Sequence, residues 1–460
     1  MTAELPLHIK TANMKNIKVL AWIAIISAIS LSAVAQNVRE EWRKPFDAVY
    51  VQLGKNLRAP NHVNPFFHAH PGRLYPGVYL WDSSFISLIW KDKNPLVAQD
   101  IIRSVLYRQQ PDGRVPQVVG PLGPNNNGLS NPPVISYAAV RIARETKDMS
   151  FVKSVYAGLK RYHQWIWRSR RLKNGLFFWK KPYESGIDNS PRYSNRDESK
   201  IIDTSQTAAS DFSAYAVLDS ESLAELAMMQ VDALPTKSDE AKRLRADSAA
   251  FTSQASEIAQ LMRSYLWNEE DGYFYDRNTI NGEFVRIPTV SSLIPLLAGV
   301  PTQAQWLRLR AHITNPNEFY TAIPIPSVSR NSRFFEKDCW RGPVWINTAY
   351  MVIMGVKRYG DGPLTRDLSE KLVNGVYKTW ENTGKFVEYY DPDAYDFKNL
   401  TRKKGLGFLG LSASPKPLTV ITQLITKRLI LGPKPVGHFV GWTGLANTLV
   451  IDELQAKSAP

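Results

Sequence analysis

The sequence has one cysteine, Cys339, in 460 residues. That excludes an intramolecular disulfide and any cysteine-built metal centre. Its seven histidines are scattered, and none shows the His-Glu-x-x-His spacing of a helical zinc site. The nearest approach, His68-Ala-His70, lies in a Pro/Gly-rich stretch and reads as loop. Asp391, Asp393 and Asp396 cluster, but without the glycine and distal glutamate of a calcium loop. No metal and no cofactor are expected. Long basic tracts are missing as well. The net charge is +15, yet Lys and Arg come in small groups, such as Arg168, Arg170 and Arg171 with Lys173, or Arg402-Lys403-Lys404. Such groups read as solvated helix faces, and with no nucleic-acid motif beside them no nucleic-acid partner is expected.

An uninterrupted apolar run of membrane-spanning length, about 20 residues, is also missing. The N-terminus comes nearest: Lys10, Lys15 and Lys18 precede an apolar stretch from Val19 to Leu31 that carries Ser27 and Ser30 and closes on Ala33-Val34-Ala35. Basic, apolar, then A-x-A is the order of a secretory leader. We expect a signal peptide over 1–35, periplasmic or secreted export, and no membrane span after its removal; Met14 is an alternative start.

Strand-type alternation is scarce, whereas helical spacing recurs. Apolar residues at helical intervals predict helices over Glu40 to Leu57, Asn94 to Gln110, Val134 to Glu145, Met149 to Arg168, Asp211 to Gln230, Ser238 to Trp267, Gln303 to His312, Val344 to Tyr359, Leu364 to Glu381 and Thr443 to Leu454. Between them run long linkers rich in Gly, Pro, Asn and aromatics. Helix pairs that recur every few tens of residues suggest a closed ring of helical hairpins, with the loops at one end converging on a cavity. The class expected is all-α, an (α/α)6 barrel over 36–460, with a long extra segment at about 401–438 of undetermined role.

Two loop segments carry carboxylates suited to chemistry. Tyr183-Glu-Ser-Gly-Ile-Asp-Asn-Ser-Pro-Arg-Tyr193 is dense in turn formers and presents Asp188, with Glu184 and Arg192 beside it; a plain surface turn in which Glu184 pairs with Arg192 is the alternative. Phe386-Val-Glu-Tyr-Tyr-Asp-Pro392 sets Glu388 among aromatics, where desolvation shifts protonation equilibria. In a third segment, Cys339 to Tyr350, Trp340, Arg341 and Trp345 surround a Gly-Pro turn that opens a helix, with Asn347 just inside it. Trp81-Asp82 and Gly441-Trp-Thr443 have the same character. The 13 Trp and 20 Tyr are compatible with sugar stacking and equally with a packed core.

WDSSF at 81–85, ESGIDNS at 184–190, CWRGPVWINTAY at 339–350, FVEYYDP at 386–392 and GWTG at 441–444, in this order, resemble the six-hairpin glycosidases of clan G. The likeness is first to glycoside hydrolase family 63 with its mannosylglycerate-hydrolase-like members, and more distantly to the family 37 trehalases. The resemblance implies the (α/α)6 barrel and an inverting α-glycosidase acting on an α-glucoside or α-mannoside. It further implies that Asp188 is the general acid and Glu388 the general base, about 6.5–9.5 Å apart as inversion requires. Trp81, Trp340, Trp345, Tyr389 and Trp442 would offer ring surfaces, and Asp82, Glu184, Arg192, Arg341 and Asn347 would hold hydroxyls. Trehalose is an alternative substrate, and an inactive glycan-binding or partner-binding barrel an alternative role. Asn131-Pro-Pro133 departs from the Gln-Pro-Pro expected in relatives.

Overall fold

The computed structural model describes residues 38–121, 123–125, 127–193, 204–402, 435 and 437–454. The proposed leader and residues 403–434 of the 401–438 segment lie outside them. Helices, in chain order, are α1 Glu40–Asn56, α2 Leu80–Lys93, α3 Pro95–Leu106, α4 Ile135–Thr146, α5 Met149–Ser169, α6 Ser210–Asp232, α7 Asp239–Tyr265, α8 Gln303–Ile313, α9 Ile346–Arg358, α10 Gly362–Thr383 and α11 Leu445–Leu449. Strands are confined to two- and three-residue pieces in the linkers, such as Trp267–Asn268 paired antiparallel with Tyr273–Phe274.

Six segments close an inner ring. α2 packs on α4, α4 on α6, α6 on the turns at Ile294–Leu296, these on α9, α9 on α11, and α11 back on α2. Burial shows why these form the inside: α2 is buried from Leu80 to Lys91, so it has no solvent face to pattern. The outer helices are striped instead. α7 buries Ala241, Leu244, Phe251, Ala255, Ile258 and Met262, one face of a 3.6-residue repeat interrupted at Ser248. The fourth inner position is not a full helix. Pro295 sits inside it, and the chain makes two short 3-10 turns, Val290–Ser292 and Ile294–Leu296, because proline removes a donor and crowds the preceding turn.

Links from inner to outer helices are short and strongly signalled. Asn94 alone joins α2 to α3, its side chain accepting from the Val97 N–H and Pro95 following at the first helical position; Asp148 caps α5 in the same way, and Asp361 caps α10. Outer-to-inner links are long: 57–79, 107–134, 170–209, 266–289, 314–345 and 384–444. Because the inner helices run the same way, their N-termini gather at the long-loop end. WDSSF, CWRGPVW and GWTG each sit at such an N-terminus, where the helix dipole favours negative charge.

Candidate active site

The five strings meet. The Trp81 ring lies 6.3 Å from Trp340 and 5.6 Å from Trp442, centroid to centroid. Trp340 stacks on Trp345 at 3.7 Å, and Trp345 in turn on Tyr389 at 4.8 Å. Gly186 brings the acid loop onto this floor. Its φ is +74° and an added Cβ would lie 2.4 Å from the Trp81 ring, so both the left-handed backbone and the close approach require glycine. Asn189 ties the loop down, its side chain accepting from the Trp340 N–H at 2.9 Å and donating to Asp338 at 3.0 Å.

Three carboxylates converge above the floor. Asp82 is buried in the first turn of α2. Burial pushes its carboxyl well above the usual range, its own backbone N–H works against that, and the charges of Glu388 and Asp188 push it higher. One buried carboxyl thus feels both of the others, which places all three in one electrostatic neighbourhood. Asp188 is half-buried, on the loop.

Glu388 is 3% exposed. Its Oε1 accepts from the Tyr75 hydroxyl at 2.6 Å and from Arg402 Nη2 at 2.7 Å. Oε2 lies 2.5 Å from Arg402 Nη2 but receives no aligned hydrogen bond. Its backbone is fixed as well, since the Trp442 indole N–H donates to the Glu388 carbonyl and the Thr443 hydroxyl to that of Val387, both at 2.9 Å. Burial pushes the Tyr75 hydroxyl well up, Glu388 adds to this and Arg402 opposes it, so Tyr75 stays a proton donor.

Other expected contacts are committed elsewhere. Glu184 does not pair with Arg192. Its carboxylate accepts from Arg170 at 2.7 Å and from the Ser130 and Lys180 backbone N–H groups, so it anchors the loop from below. Arg192 is held by Asp211 at 2.6 Å and Asp276 at 3.1 Å, with only 2% of its side chain exposed. Both are structural ion pairs, and both replace the expected substrate contact. Trp345 donates its N–H to the Cys339 carbonyl and the Tyr389 hydroxyl donates to the Thr401 carbonyl; with their faces stacked, these two rings form a buried underlayer and not a sugar platform. Arg341 binds the Asn189 carbonyl and keeps Nη2 unspent. Asn347 is fully buried with both amide atoms unspent. Asp391 and Asp393 are neutralised by Lys337, and no group of three metal-ligating side chains occurs among the described residues.

Tyr75 and Arg402 were not legible as site residues. Tyr75 stands in a loop without a motif, and Arg402 heads a basic triplet that reads as solvated; the structure leaves it 8% exposed.

The family profile described as mannosylglycerate hydrolase MGH1-like glycoside hydrolase domain matches residues 75–401. A mannosylglycerate hydrolase of Thermus thermophilus is 27% identical over 379 residues, 69% of this chain and 89% of its own. The crystal structure of a GH63 mannosylglycerate hydrolase from Thermus thermophilus in complex with glucose superposes with a TM-score of 0.67 at 23% identity, covering 87% of this chain and 98% of that one. Neutral trehalase Nth1 from Saccharomyces cerevisiae shares the fold, with a TM-score of 0.60 at 14% identity over 85% of this chain and 76% of that one.

Proposed function

The chain belongs to the MGH1-like glycoside hydrolase family, and from that premise we propose that it is an exo-acting α-glycosidase that hydrolyses a short α-mannoside or α-glucoside with inversion. The observation that carries this reading is the grouping of Asp82, Asp188 and Glu388 over a tryptophan floor. Asp188, on the loop that Gly186 lays against Trp81, protonates the departing glycosidic oxygen. Glu388, held against Arg402, takes a proton from the water that attacks the anomeric carbon on the opposite face. Asp82, held neutral by burial, donates a hydrogen bond to a substrate hydroxyl, and Arg341 and Asn347 supply further polar contacts from their unspent atoms. The bound sugar rests on the edges of Trp81, Trp340 and Trp442. The A-x-A leader supports export, which N-terminal sequencing of the mature protein checks.

Mannosylglycerate is the first substrate to test, because curated relatives along most of the chain are mannosylglycerate hydrolases. Proton NMR of the enzyme with mannosylglycerate, α-linked disaccharides including trehalose, and glucosylated oligomannose follows the anomeric signals from the first minutes. A β-anomer released first from an α-linked substrate is the expected result. An initial α-anomer would overturn inversion, and absence of turnover across the panel would favour a glycan-binding role.

A further inference from the structure

Arg402 lies 14 residues beyond Glu388, after the tyrosine-rich string, and is brought back against it. Its Nη2 donates to Glu388 Oε1 at 2.7 Å, stands 2.5 Å from Oε2, and also donates to the Tyr75 hydroxyl at 2.7 Å. Tyr75 and Arg402 together spend Oε1. Oε2 is left without an aligned donor. The two oxygens of the base are therefore unlike: one is anchored, the other keeps its lone pairs. Among the described residues, Asp82, Tyr79 and Tyr389 also feel the charge of Glu388. None of these carries positive charge, and Arg402 is the cation in contact with the base among the described residues.

From this we infer that Arg402 is a positioning residue for hydrolysis: its charge sits directly against buried Glu388, and its clamp on Oε1 leaves Oε2 as the atom that accepts the proton of the attacking water. The inference rests on Glu388 being the base. In the step, a water O–H bond breaks and its proton goes to Oε2 while the water oxygen bonds to the anomeric carbon. The glycosidic C–O bond breaks, and the leaving oxygen takes the proton of Asp188. Burial works against the Arg402 charge, but Glu388 together with Tyr75, Cys339 and Tyr389 more than offsets it, so Arg402 stays a cation against the carboxylate.

The test compares wild type, Arg402→Gln, Arg402→Lys, Tyr75→Phe and Glu388→Gln on the substrate turned over in the NMR panel, with thermal midpoints to verify folding. Arg402→Gln should lower kcat about 100-fold with KM within about threefold. It should also move the acidic limb of kcat/KM to higher pH by at least about one unit, because a cation that favoured the ionised base is gone. Arg402→Lys keeps the charge, so its limb should stay near that of wild type while part of the rate returns. Tyr75→Phe removes a neutral donor and should slow turnover with the limb in place; it carries the test together with Arg402→Lys if the glutamine variant does not fold. A raised KM at unchanged kcat would make Arg402 a substrate contact and overturn the inference. So would an equal rate loss in both Arg402 variants with the limb unmoved, or no change at all. Full turnover by Glu388→Gln would instead sink the assignment of the base, whereas a dead Glu388→Gln beside an unaltered Arg402→Gln sinks only the role of Arg402.

Discussion

The two ends of the barrel each gather charge, and they treat it differently. At the short-link end, a cavity of about 490 Å³ is lined by Arg141, Arg144, Glu221, Glu225, Lys357 and Arg358. Every one of these charges is matched: Arg141 with Asp452, Arg144 with Glu225, Lys357 with Glu453 and Arg358 with Glu221, at 2.5–2.8 Å. Beneath it, buried Lys91 pairs with Asp92 and Asp452. At the long-loop end, Asp82, Asp188 and Glu388 converge, with Arg402 paired to Glu388. A neutralised cluster holds helices together. A carboxyl that burial raises, as at Asp82, holds its proton more readily, and a movable proton is what acid/base chemistry requires.

The comparison breaks most sharply on rate. Asp188→Asn and Glu388→Gln should each lower kcat by about a thousandfold or more, read by NMR turnover beside a melting curve; the thermal midpoint should stay put for Asp188→Asn and fall for Glu388→Gln, which strands buried Arg402, and loss of fold in Asp188→Asn would mean that its carboxylate does structural duty. Arg192→Met, only four residues from Asp188, should show the reverse signature. It strands buried Asp211 and Asp276 and should cost about 3–5 kcal/mol of stability, measured by denaturant unfolding; a variant as stable as wild type and merely inactive would return Arg192 to the substrate contacts. Asp82→Asn preserves a neutral donor, so its rate loss should be about tenfold, the scale of one hydrogen bond. If it fell as far as Asp188→Asn, Asp82 would have to hold the catalytic proton.

Two smaller effects sharpen the other end. Burial pushes the Asp92 carboxyl up to about 7, partly opposed by Lys91. A carboxyl raised in the folded state binds its proton more tightly there than in the unfolded chain, so the stability it contributes is present below about pH 4 and is lost as pH rises towards 7. Asp92→Asn should flatten that slope in unfolding midpoints taken across the window; an unchanged slope would assign it to other groups. Arg144→Ala opens an ion pair whose arginine is 58% exposed. It should cost less than about 1 kcal/mol, and a larger loss in the same unfolding assay would show the rim pairs acting as a network.

How far each residue could be read depended on the range of what holds it. Asp188 and Glu388 were legible because their strings announce loops that present a group: turn formers around one, aromatics around the other. The hairpin ring was legible because α7 and its like repeat every 3.6 residues. The fourth inner helix was not, since the run from Val290 to Leu297 is apolar apart from Ser291 and Ser292 and only Pro295 signals its collapse into turns. Glu184 and Arg192 misled because they are neighbours in sequence. Their true partners, Arg170, Asp211 and Asp276, lie 14, 19 and 84 residues away, and no local pattern encodes such pairings. Trp345 and Tyr389 misled for a related reason, because an aromatic in a loop reads alike whether its faces are open or stacked.

By itself the sequence determined most of the segments that become helices, the fully buried and unpatterned α2 excepted, and which loops carry acids, since spacing, caps and turn residues act within a few positions along the chain. Only the tertiary structure decided which charges are spent on one another and which are left for chemistry. Closing the ring brings Tyr75 onto Glu388 from the other end of the described chain, and the loop beyond the base folds Arg402 back against it; the strength of a charge in a protein is set by what burial places against it.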